Sequence, residues 1–113
     1  MAITPGTHSF TLQRRADHDL NLTFKDGNNN PINLTGYTVE SQVWDVNRTT
    51  KYADWTITYT NRAAGEVKLS LTDTQTATFS PADLRYDVLV TNGAGLKEYW
   101  LEGNIFVDEG YTA

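Results

Sequence analysis

The sequence predicts an all-β protein, an antiparallel β-sandwich of about seven to eight strands with one short helical turn near residues 73–78. Three observations predict it. Apolar residues recur with a period of two along most of the chain, which describes strands with one face on a core and one in water. Turn signals separate these runs at sandwich-like spacing, and a single capping box marks the helical turn.

The elements follow in order. Phe10 and Leu12 alternate with polar residues, as do Leu20, Leu22 and Phe24; the polar stretch from Arg14 to Asp19 between them predicts a short crossing or bulged segment. Asp26-Gly27-Asn28-Asn29-Asn30-Pro31 concentrates residues that tolerate positive φ and ends on one that blocks ladder pairing, so it predicts a turn. Thr35-Gly36 predicts a second. The strand from about Tyr37 to Trp44 places Tyr37, Val39, Ser41 and Val43 on one face and Trp44 on the other, with Thr38, Glu40 and Gln42. Asp45 to Ala53 is polar and predicts a loop. Trp55, Ile57 and Tyr59 then alternate with three threonines, whose β-branching suits an exposed strand face.

Asn61 to Gly65 predicts a turn, and Val67, Leu69 and Leu71 another strand. In Thr72-Asp73-Thr74-Gln75 a hydroxyl stands at the N-cap and Gln three residues later, opening a helical turn that must end before Pro81. Tyr86 to Thr91 and Leu96 to Val107 predict two strands joined at Asn92-Gly93, a dipeptide suited to a type I′ hairpin turn. Gly103, inside the second, predicts a bulge or a close backbone approach. The pattern as a whole is that of an immunoglobulin-like sandwich spanning residues 8–107, with an arm at 1–7 and a tail at 108–113 expected to fray in isolation.

Composition narrows the function. The 113 residues suit one domain. There is no cysteine, so disulfides, thiolate metal sites and Cys nucleophiles are excluded, and assembly in a reducing cytoplasm is expected. A net charge of −5 and a single basic doublet, Arg14-Arg15, point away from nucleic acid and from anionic lipid. Residues 1–6 show no apolar stretch like a signal peptide or membrane span.

Catalytic and metal chemistry find little support. His8 and His18 lie ten positions apart without a spacing that implies a shared site. The Asp26 to Asn30 run begins like a calcium loop, but Pro31 stands where its glycine belongs and Tyr37 where its bidentate glutamate belongs. No cofactor or metal is expected. What stands out instead is a surplus of aromatic side chains beyond what one core absorbs: Trp44, Tyr52, Trp55, Trp100, Phe106 and Tyr111. Strand alternation sets Trp100 opposite Tyr99 and Leu101, on one face with Glu98 and Glu102. Such aromatics, with Arg14, Arg15 and Arg48 as companions, are the usual anchors of protein interfaces.

Several runs resemble a known family. They are Leu22 to Gly27, Pro31 to Val39, Gly65 to Ala77, Tyr86-Asp87-Val88 and the closing Leu101 to Val107. In that order they are similar to small structural proteins of tailed bacteriophages related to the N-terminal domain of baseplate upper proteins, over roughly residues 9–107. The resemblance implies an immunoglobulin-like sandwich and a non-enzymatic virion role, assembled in the host cytoplasm. In multidomain relatives this module attaches a receptor-binding portion to the baseplate; a chain ending at Ala113 is instead expected to be a freestanding adaptor or decoration subunit. The leading expectation is an adaptor bridging tail, baseplate or neck proteins in many symmetric copies. A capsid decoration protein on the major capsid lattice is the alternative in that class. A glycan-binding attachment module using Trp55 or Trp100 as a stacking platform is the alternative outside it.

Overall fold

The computed structural model describes residues 6–80 and 82–109. Nine strands lie in that range: β1 (Gly6–Thr7), β2 (Phe10–Gln13), β3 (His18–Thr23), β4 (Thr38–Asp45), β5 (Lys51–Asp54), β6 (Thr56–Asn61), β7 (Glu66–Leu71), β8 (Asp83–Thr91) and β9 (Lys97–Asp108). They form two facing sheets. The larger runs β1-β9-β8-β4-β5, with β2 also beside β9, and the smaller runs β3-β7-β6. The inward side chains of both layers fill one core, in which Leu12, Leu34, Val43, Leu69, Phe79, Leu84, Val88 and Ile105 are fully buried.

The sandwich is not antiparallel throughout. β1 and β2 run parallel to β9, with Gly6 opposite Leu101 and Phe10 opposite Ile105. No hairpin joins the first and last strands, so nothing local forces them to oppose, and they meet at one sheet edge running the same way. The chain then crosses to the smaller sheet at Arg14–Asp17, where Arg15 takes a positive φ of 63°. Thr76, fully buried, pins this crossing: its hydroxyl accepts from Ala16 N at 3.2 Å and donates to Ala16 O at 2.9 Å.

Thr72 caps the helical turn α1 (Asp73–Thr76) with both reciprocal bonds of a capping box. A 3-10 turn (Arg62–Ala64) that the sequence reading did not separate from its surroundings closes on Gly65 at φ 72°. A Cβ at Gly65 would lie 2.7 Å from the carbonyl oxygens of Phe24 and Ile32, so the loop between those residues rests against bare backbone. Asp26 organises that loop itself, its carboxylate accepting from Asn28 N and Asn30 N.

Three local expectations are corrected. Residues 51–54 are a strand, not loop: β4 and β5 form a short hairpin whose polar side chains concealed the alternation. In the β8–β9 hairpin the positive φ belongs to Gly95, not to Asn-Gly; Asn92 contributes its side-chain oxygen, which accepts from Ala94 N and Leu96 N. And β9 bulges, with Leu89 facing Tyr99 while the preceding Val88 faces Leu101. Trp100 is the extra residue.

A candidate docking face on the larger sheet

The bulge decides what each aromatic does. Downstream of it the outward residues of β9 are Glu102, Asn104 and Phe106; upstream the outward residue is Tyr99, while Glu98 and Trp100 point towards the core side. The expected sharing of one face by Glu98, Trp100 and Glu102 is therefore corrected. Trp100 packs edge-on against Phe24 and Tyr37 at ring separations of 5.3 and 6.1 Å. Tyr99, absent from the sequence candidates, is 51% exposed. The consecutive apolar triplet Tyr99-Trp100-Leu101 was the signal available, since strict alternation cannot place both Trp100 and Leu101 inward.

The other candidates divide in two. Trp55 is only 4% exposed and faces the core, so it presents no ring to a partner. Tyr52 is half-buried and meets Phe79 edge-on at 6.1 Å. Arg14 and Arg15 are turned inward on the chain: both pair with Glu109, at 2.7 and 3.4 Å, and Arg14 also donates to Ala77 O. They fasten the end of β9 to the β2–β3 crossing. Tyr111 lies outside the described residues.

Trp44 and Arg48 come together on the outer face of the larger sheet, and Phe106 lies on the same face further along β9. Cross-strand rows there read Glu40–Leu89–Tyr99, Gln42–Asp87–Glu102 and Trp44–Arg85–Asn104, with Phe106 beside Asp83 at the end. A shallow depression of about 370 Å³ opens among Trp44, Arg48, Arg85, Leu89, Tyr99 and Glu102. The Trp44 indole N–H donates to Gln42 Oε1 at 2.9 Å, and the Arg48 guanidinium lies 4.9 Å from the ring centre. Asp45 fixes the loop that carries Arg48: its carboxylate accepts from the N–H of Thr49 and Thr50 and from the Thr49 hydroxyl. Arg48 itself adopts a left-handed φ of 56°.

Asp87 sits in the middle of this face, half-buried and directly opposite Glu102. Burial, and then the Glu102 charge, push its carboxyl above the ordinary 3.8, against the pull of Arg48 and Arg85. An acid with a raised folded pKa destabilises the fold once ionised, so its penalty is absent below the unfolded value and complete above the folded one. Asp87→Asn is accordingly expected to raise the denaturation midpoint at pH 7. The gain should shrink as pH falls towards 3.8. A gain that stays constant between pH 7 and pH 3.5 would show that Asp87 carries no such penalty.

The His8 ring stacks on Phe10 at 5.9 Å. The His18 ring stacks on Phe10 at 4.8 Å, and burial pulls its pKa below 6.5. No group of three or more His, Cys, Asp or Glu side chains converges among the described residues, and no helix there is long and apolar enough to cross a membrane.

The strand order, with the last strand flanked by the first in parallel and a three-stranded sheet opposite, defines an immunoglobulin-like β-sandwich. A crystal structure of the Lin-41 filamin domain is similar to it: 88% of this chain and 84% of that one superpose with a TM-score of 0.50 at 13% identity, a likeness of fold. No family model and no curated protein matches the chain.

Proposed function

We propose that this chain is a non-catalytic structural subunit of a bacteriophage virion, an adaptor that docks other tail, baseplate or neck proteins through the outer face of its larger sheet. One observation carries the docking: Trp44, Leu89, Tyr99 and Phe106 stand with Arg48 and Arg85 on a sheet face that no other element covers among the described residues, and aromatics and Arg are the residue types that anchor interfaces. The virion setting is supported by the ordered runs from Leu22 to Val107 that resemble tailed-phage baseplate proteins. Repetition by symmetry would turn a modest contact into a firm one.

Immunogold labelling of virions from the phage that encodes the chain tests the setting. Tail or baseplate label is the expected result. Label on the head would favour capsid decoration, and absence from purified virions would sink both. For the face itself, Trp44→Ala combined with Tyr99→Ala should leave the chain folded, at a cost of about 1–2 kcal/mol from the lost Trp44 contacts with Gln42 and Arg48. Incorporation into virions should fall by about 30-fold or more, the scale of a hot-spot truncation.

A further inference from the structure

A bare sheet edge invites pairing with another strand, and three of the four edges of this sandwich are blunted. β5 is short, and its ends carry Lys51 and Asp54, ion-paired at 3.1 Å. The edge beside β9 is broken between β1 and β2. β3 carries His18 and Asp19. The fourth edge is β6, which has neither a charge nor a proline and pairs with β7 alone among the described residues. Its Thr56, Thr58 and Thr60 are exposed, while Ile57 and Tyr59 are half-buried against the core. The one protective device on it is a bulge against β7 between Thr58 and Asn61, which twists its far end and keeps any added ladder short.

The order of residues in β6 selects the occupant. Threonines and apolar residues alternate symmetrically about Thr58. A second β6 laid antiparallel across a two-fold axis there sets Thr58 opposite its own copy, Thr56 opposite Thr60, and Ile57 opposite Tyr59. Directly opposed residues share a sheet face, so threonine meets threonine on the outside and isoleucine meets tyrosine on the core side. Both kinds of pair stabilise sheets. The flanks agree: Asp54 precedes the strand and Arg62 follows it, so antiparallel pairing brings opposite charges together at each end. Elsewhere two copies, each of net charge −5, repel one another, which leaves the uncharged edge as the place where they can meet. We propose that two copies of this chain pair through β6, joining their smaller sheets into one continuous sheet of order β3-β7-β6-β6-β7-β3. The contact lies in the smaller sheet and leaves the docking face of the larger one open.

Sedimentation equilibrium of the full chain is the test. A monomer–dimer equilibrium is expected with a Kd of about 10 µM to 1 mM, the range of a small interface without buried aromatic anchors. Thr58→Lys sets like charges opposite each other across the axis and should weaken self-association about tenfold or more while the chain stays folded. Mixing it with Thr58→Glu should restore a heterodimer. The chain has no cysteine, so Thr58→Cys places a single thiol beside its own copy. It should form an interchain disulfide at least about fivefold faster than Asn21→Cys on β3, because directly opposed strand residues lie within disulfide reach. The proposal is overturned if the chain stays monomeric at about 1 mM, whether β6 then remains bare or takes a strand from another protein. It is overturned equally if Thr58→Lys dimerises as well as the unaltered chain, or if Thr58→Cys crosslinks no faster than Asn21→Cys.

Discussion

Gly103→Ala is expected to strip β1 from the sheet and cost about 2–4 kcal/mol. Gly103 lies on β9 where the incoming chain crosses it, and a Cβ there would fall 1.9 Å from His8 O and 2.6 Å from His8 C. Both are backbone atoms, so no side-chain rotation relieves the clash. His8 O must move by more than an ångström, and two bonds go with it: His8 N donates to Glu102 O at 2.9 Å, and the Tyr86 hydroxyl donates to His8 O at 2.6 Å. The second loss is the costlier. Tyr86 is 3% exposed, its hydroxyl pushed up to a pKa of about 12 by burial, and without His8 O that hydroxyl has lost its acceptor. The damage is limited because residues 6–8 can peel away while β2 remains, paired with β9 further along and stacked through Phe10 on His18.

Urea denaturation and amide exchange check this result. Gly6, Thr7 and His8 should exchange rapidly in Gly103→Ala, while Leu12 stays protected. Tyr86→Phe, which deletes the hydroxyl without a clash, should cost only about 1 kcal/mol and keep β1 in place. If Gly103→Ala matched the wild type to within about 0.5 kcal/mol, the close approach of His8 to β9 would be refuted.

That contact marks a boundary of what the sequence could reveal. The glycine was legible as a place of close approach, but not the strand that approaches, because parallel pairing between residues some 95 positions apart leaves no local trace. Where a strand is regular and one face is buried, reading was complete: in β4 Val39, Ser41 and Val43 face inward and Trp44 outward, as alternation required. Alternation failed in β9 because one extra residue reverses the phase, sending Trp100 in and Tyr99 out. Charge was the least legible property. Arg14 and Arg15 read as free basic groups only until Glu109 is seen beside them. The cluster on the outer sheet face was half visible: Trp44, Arg48 and Phe106 stood among the sequence candidates and Arg85, Leu89 and Tyr99 did not, since their juxtaposition depends on the register of three strands.

Trp55→Ala is expected to be the most damaging single truncation in the core, at about 3–5 kcal/mol, a large part of the 5–15 kcal/mol that holds an ordinary domain together. Trp55 sits where the chain leaves the larger sheet for the smaller, its N–H still bonded to Ser41 O at 2.9 Å. Its ring meets Phe10, His18 and Tyr86 at 6.1–6.2 Å, so removing it opens a cavity bordered by both sheets. Trp55→Phe should behave differently. It loses ring volume but also removes an indole N–H that is buried without a partner among the described residues. The two effects oppose, and the variant should remain within about 1.5 kcal/mol of wild type. Measured beside Trp44→Ala, this pair separates packing from docking. Trp55→Phe should enter virions normally, and Trp55→Ala should fail in proportion to its lost stability. Trp44→Ala should fail while still folded, its loss of incorporation exceeding its small loss of stability. Equal loss of incorporation in Trp55→Phe and Trp44→Ala, with both folded, would mean that the partner senses the core side of the sandwich, and the outer face would no longer be the site of docking.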